Sequence, residues 1–159
     1  MSGEIRKRRQ YLIYGVVGLT AGFIFLADFI IKVYLRANFA YQSIPVFKNI
    51  FHITVIFNTG AAFGILKDNT ALLTYLGILF VALFIFFIKK EEKKSILFLI
   101  ACGLILGGAL SNLYDRIFLG FVVDYIDLRV WPVFNLSDSA ISIGVLTLLI
   151  RSLKKPLKD

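Results

Sequence analysis

The chain has 159 residues, enough for one domain, but 58% of them are hydrophobic, 15% aromatic and only 18% charged. That balance is wrong for a water-soluble globule and requires lipid to cover the excess apolar surface. One cysteine, Cys102, and one histidine, His52, exclude an internal disulfide, a cysteine-cluster metal site and a histidine-rich centre, and they disfavour a Ser-His-Asp triad.

A hydrocarbon core about 30 Å thick needs roughly 20 helical residues. Four segments meet that length, at about residues 11–35, 70–88, 95–114 and 130–150. The predicted fold class is mainly α and integral to the membrane: one polytopic domain over residues 1–159, with four transmembrane helices. The first run is expected to stay in the membrane, because it is too long for a cleavable leader and no small-x-small site precedes Asp28 and Lys32. Residues 36–69, between the first two helices, are predicted to form a small extracytoplasmic β-rich insert. There Ile53-Thr54-Val55-Ile56-Phe57 has strand composition, and His52 is expected in a loop.

The net charge of +8 does not indicate nucleic acid. Arg6-Lys7-Arg8-Arg9, the Lys89, Lys90, Lys93, Lys94 group, and Arg151 with Lys154, Lys155 and Lys158 hold twelve of the eighteen basic residues. If the spans alternate, all three groups fall on one face, which the positive-inside rule makes cytoplasmic along with both termini. The protein is thus expected in the cytoplasmic (inner) membrane, with residues 36–69 and 115–129 outside.

With that orientation the unusual polar residues converge on one depth, near the extracytoplasmic face. Asp28 and Lys32 lie in the outer half of the first span, and Asn112, Asp115 and Arg116 end the third. Asn135 and Asp138 open the fourth, Asn58 precedes the second, and Asp124 lies in the outer connection. Each charge inside lipid costs about 2.5–3.5 kcal/mol on insertion scales, so such groups normally face a bundle interior, where they pair or work. Asp28 with Lys32 forms an i,i+4 pair, read either as a self-neutralising lock or as substrate-handling. Arg116 reads as a snorkelling residue or as an oriented partner for Asp115 or a substrate carbonyl. The Asn58 amide and the small residues around Gly60 suit the holding of an extended peptide, or simply a turn into a packed helix.

Two carboxylates crowded in a low-dielectric site cannot both ionise, so together they supply a base and an acid to one water. Spacing alone does not decide which two act among Asp115, Asp124, Asp127 and Asp138. Asp138 interrupts an apolar helix and is the strongest candidate, against a helix-cap role with Ser139. Asp124 follows an apolar approach, and Asp127 is expected to pair with Arg129 or water. Three other chemistries suit parts of the pattern. They are a Ser-Lys peptidase built from Lys32 with Ser111, Ser137 or Ser139, an ion-coupled transporter, and a metal-dependent lipid phosphotransferase using Asp124-x-x-Asp127.

Five motifs occur in order: Asp28-x-x-x-Lys32; Asn58-Thr59-Gly60-Ala61-Ala62-Phe63-Gly64; Gly108-Ala109-Leu110-Ser111-Asn112-Leu113-Tyr114-Asp115-Arg116; Val122-Val123-Asp124-Tyr125; and Phe134-Asn135-Leu136-Ser137-Asp138-Ser139. Jointly they resemble the bacterial lipoprotein signal peptidase (signal peptidase II) family. The resemblance implies a membrane aspartic endopeptidase that cuts diacylglyceryl-modified prolipoproteins before the lipidated cysteine. It also implies a monomer that uses no metal or other cofactor and binds membrane lipid and lipidated substrate but no nucleic acid. By the same resemblance Asp124 and Asp138 are catalytic, and Asp28, Lys32, Asn58, Gly60, Asn112, Asp115, Arg116 and Asn135 bind substrate or shape the site. The family's insert forms a β-rich cradle on the bilayer, with a mobile element over the site. Phe29 and Phe57 depart from the residues common beside the first and second motifs, and the short 124–138 connection implies little lid there.

Overall fold

The computed structural model describes residues 2–60, 66–90 and 95–153. Four helices and three strands follow in the order α1 (Ser2–Phe39), β1 (Ser43–Phe47), β2 (Phe51–Asn58), α2 (Thr70–Lys90), α3 (Ile96–Phe118), β3 (Val122–Asp127) and α4 (Leu136–Leu153). All four helices contain segments long and apolar enough to cross a membrane. Ala61, Ala62, Phe63 and Gly64 of the second motif lie outside the described residues. So do Lys93, Lys94, Lys154, Lys155 and Lys158 of the basic clusters.

Helix α3 is the centre of the bundle, packed on α1 and α4, with α2 against its remaining side. Small residues permit the close approach. A Cβ on Gly103 would sit 2.5 Å from Thr20 Cβ, and one on Gly107 would sit 2.5 Å from the Ala21 carbonyl, both on α1. On the opposite side, a Cβ on Gly108 would meet the Ser137 carbonyl of α4 at 2.5 Å. Lipid offers no hydrophobic drive between helices, so this intimate packing and the polar contacts below are what hold α1, α3 and α4 together. In contrast, Ile88 is the one buried residue on α2; Phe84 packs half-buried beside it, and most of the other apolar side chains of this helix are exposed, as a lipid-facing helix requires.

The strands form an antiparallel sheet in the order β1-β2-β3. Its inner face, with Val55, Val123 and Tyr125, packs on Leu35, Ile31 and Phe39 at the end of α1. Strands β1 and β2 form the expected β-rich insert within residues 36–69, and β3, from the connection between α3 and α4, pairs with β2 and adds the third strand. Two expectations need correction. His52 lies on β2, opposite Pro45 and Asp127, not in a loop. The fourth helix begins at Leu136, not near 130: residues 130–135 contain Pro132 and a bridge from Phe134 to Ile126, and Asn135 caps the helix.

Candidate active site

Asp124 sits on β3 and Asp138 in the first turn of α4. Strand alternation turns Val123 and Tyr125 into the core beside α1 and leaves Asp124 facing a cavity of about 1000 Å³. Asp138 arrives there through helix capping. The Asn135 carboxamide oxygen accepts from the Asp138 N–H at 2.9 Å, and Asp138 Oδ2 accepts from the Asn135 N–H at 3.2 Å. This reciprocal capping box satisfies two backbone donors and fixes the Asp138 side chain in one rotamer. The cap role considered for Asp138 is therefore real, and it coexists with a place on the cavity wall.

Three asparagines hold the two carboxyls, and two of them link the pair. Asn58 Nδ2 donates to Asp124 Oδ2 at 2.9 Å, Asn135 Nδ2 to Asp124 Oδ1 at 2.8 Å, and Asn112 Nδ2 to Asp138 Oδ1 at 2.8 Å. Asn135 Nδ2 also reaches Asn112 Oδ1 at 3.1 Å, which closes the chain between the pair. Burial, reinforced by the negative charge of Asp138, pushes the Asp124 carboxyl up to about 7 against the opposing hydrogen bonds from Asn58 and Asn135 and the charge of Lys32. Arg116 lines the same cavity, and its Nη2 donates to the Gly60 carbonyl at 3.3 Å, not to Asp115. Gly60 N–H in turn donates to Asn58 Oδ1 at 2.9 Å, so Gly60 and Arg116 brace the asparagine that holds Asp124.

Behind this wall lies a buried ionic cluster. Lys32 Nζ is 2.8 Å from Asp28 Oδ2 and 3.0 Å from Asp115 Oδ2, and it donates to Asn112 Oδ1 at 2.9 Å. Asp28, which is fully buried, also accepts from Ser111 Oγ at 2.7 Å, Ser137 Oγ at 2.6 Å and Tyr125 OH at 2.9 Å. The Asp28 carboxylate thus joins α1, α3, β3 and α4, and Asn112 passes its order on to Asp138. Asp115 accepts from the Val123 N–H at 3.1 Å and so sets β3 one residue from Asp124, although it does not line the cavity. Burial, with the charge of Asp28 beside it, raises the Tyr125 phenol well above its ordinary value, and its oxygen receives the Leu136 N–H at the start of α4. Strand alternation from Asp124 was the signal that would have placed Tyr125 inward.

The same geometry separates the rival chemistries. Ser111 and Ser137 are buried on Asp28 away from the cavity, and Ser139 Oγ donates to the Asn135 carbonyl, so no serine both lines the cavity and meets Lys32. Asp124 and Asp127 face opposite sides of β3. Asp127 receives Thr54 Oγ1 at 2.7 Å and the Arg129 N–H and Nη1 at 2.8 and 3.0 Å. Burial alone would raise its pKa, but these bonds outweigh it and hold the carboxyl below the usual value.

The family described as Signal peptidase (SPase) II matches residues 20–154, and so covers the ionic cluster, the asparagines and both cavity aspartates. The chain belongs to that family. A lipoprotein signal peptidase of Desulfitobacterium hafniense is 41% identical over 146 residues, which cover 91% of this chain and 97% of that protein. Another, from Moorella thermoacetica, is 40% identical over 131 residues, covering 82% and 87%. A solved bacterial membrane enzyme, determined by the in meso method at 2.3 Å resolution, superposes with a TM-score of 0.81 at 31% identity over 91% of this chain and 94% of that one. Family and architecture together make this chain a multi-pass membrane peptidase of the signal peptidase II type, with its polar residues gathered at one end of the bundle.

Proposed function

We propose that Asp124 and Asp138 are the catalytic pair with which this protein cleaves the signal peptide from diacylglyceryl-modified prolipoproteins, just before the lipidated cysteine. The observation that carries the reading is the arrangement of two acidic side chains on one cavity wall, tied by Asn58, Asn112 and Asn135, with one carboxyl poised near neutrality. Aspartic chemistry needs that split. Asp124 keeps the shared proton while Asp138 takes one from a bound water as it attacks the scissile carbonyl. The Asp124 proton then stabilises the developing oxyanion, and the leaving amine is protonated as the pair resets. Asp28, Lys32 and Asp115 position this pair from behind, and Gly60 and Arg116 shape the side where the substrate backbone lies.

The positive-inside pattern supports cytoplasmic termini, which puts the sheet and cavity at the extracytoplasmic face. There acyl chains remain in lipid while the peptide bond enters the cavity, and a single copy supplies the whole site. Purified protein given a lipidated prolipoprotein and its unlipidated counterpart is expected to shorten only the lipidated form by mass spectrometry. Asp124→Asn and Asp138→Asn should each lower kcat by at least about a thousandfold while leaving the protein folded in detergent, as loss of an essential acid or base does. Near-normal turnover by either purified variant removes that residue from the mechanism.

A further inference from the structure

The connection from β3 to α4 is short, yet Leu128, Trp131, Pro132, Val133 and Phe134 form one wall of the cavity that holds the aspartates. Trp131 and Val130 are 58% and 91% exposed. Its far end is bonded to the sheet through Phe134, whose carbonyl accepts from Tyr125 and Ile126 N–H at 3.0 and 2.7 Å. Its near end turns at Arg129, which adopts φ 65°, a left-handed conformation that a residue with a side chain rarely takes unless it is held.

What holds it is Asp127. One carboxylate oxygen accepts the Arg129 N–H two residues on, and the other accepts the Arg129 guanidinium and Thr54 Oγ1. Donor counting extends the chain across the sheet. The Thr54 hydroxyl spends its proton on Asp127, so Ser43 Oγ, 2.7 Å away, must donate to Thr54. Ser43 is then left to accept from His52 Nδ1 at 3.1 Å. His52, Ser43, Thr54 and Asp127 thus form one directed ladder through β1, β2 and β3 that ends on the turn at Arg129.

We propose that Asp127 is a positioning residue for substrate binding: anchored by the Ser43–Thr54 ladder, it fixes the turn at Arg129 that sets Trp131 and Pro132 against the apolar part of the lipidated substrate. Asp127 stays away from the reacting atoms and governs affinity, while Asp124 and Asp138 govern chemistry. The inference rests on the proposed cavity and pair, and the protein supplies its own probe, since Trp131 is the only tryptophan in the chain.

Titrating a diacylglyceryl-modified peptide into the Asp124→Asn protein, which removes cleavage, should change Trp131 emission saturably. Adding Asp127→Ala should weaken that binding roughly tenfold and shift the emission of the free protein, as loss of a charge-assisted hydrogen-bonded clamp does. Asp127→Asn keeps the acceptor for the Arg129 N–H and should restore affinity to within about threefold. With Asp124 intact, Asp127→Ala should raise KM and leave kcat and the pH profile in place, a split that a purely stabilising role would not produce. If Asp127→Ala does not fold, Arg129→Ala, at a half-exposed side chain, tests the same clamp with an expected loss of about threefold. Unchanged affinity, an Asn variant as weak as the Ala variant, a fall in kcat at constant KM, or no response of Trp131 to the peptide would each overturn the assignment. Failure of the catalytic reading shows separately, as cleavage by the Asp124→Asn protein.

Discussion

The Asp124 carboxyl makes the site pH-dependent in a direction its raised pKa fixes. Its ordinary value of 3.8 moves to about 7, so the neutral form favours the fold, an effect complete below pH 3.8 and lost as the pH rises through about 7. Thermal unfolding of the wild-type protein is expected to become easier over that window, and Asp124→Asn should flatten the dependence. In the proposed mechanism the same proton is needed for the oxyanion, so kcat/KM should fall on an alkaline limb with a midpoint near 7. A wild-type profile that stays flat from pH 6 to 9 would mean that Asp124 does not carry the catalytic proton. Lys32 shows a second residue-scale asymmetry. It stands between Asp28 and Asp115 with almost no exposure, so Lys32→Met leaves two buried carboxylates uncompensated. That change should cost about 3–5 kcal/mol of stability by unfolding in detergent, more than a surface lysine would.

At the scale of elements, α3 carries two demands along one helix. Its middle must let α1 and α4 approach, which Gly103, Gly107 and Gly108 permit, and its C-terminal end must deliver Ser111, Asn112 and Asp115 to the ionic cluster. Gly107→Leu should force α1 away from α3, because the Ala21 backbone sits where its Cβ would go. A destabilisation of about 1–3 kcal/mol is expected, with turnover lost in parallel. Gly22 on α1 has open space around its Cβ position, and Gly22→Ala should leave melting unchanged or slightly improved. Equal effects at the two positions would show that the α1–α3 contact is looser than described. The start of α4 is equally specific: Asn135 caps the helix and bonds Asp124, so one side chain sets both the helix register and the spacing of the pair.

For the molecule as a whole, the sheet closes the site. Strand β2 brings Asn58, β3 brings Asp124, and the bundle below brings Asn112 and Asp138, so no single covalent stretch contains the cavity. The basic groups predict that a fluorescent protein fused to the C-terminus will fluoresce in cells, as a cytoplasmic fusion does, and that a phosphatase active only outside will be silent there. The opposite pattern would invert the topology and place the cavity at the cytoplasmic side.

Composition, four apolar runs and the placing of charge determined by themselves that this is a four-helix membrane protein, because span length and the cost of charge in lipid leave few alternatives. The isolated polar residues in those runs gather at one depth, and the ordered motifs resemble one family. Tertiary structure alone decided how those residues divide. Asp124 and Asp138 face the cavity, Asp115 bonds the β3 backbone behind it, Asp127 bonds the turn at Arg129, and β3 joins a sheet that begins at Ser43. These are choices of strand pairing and facing between distant segments. The local pattern of a short strand beside a membrane does not encode its partner, because pairing depends on what the helices bring to its two faces.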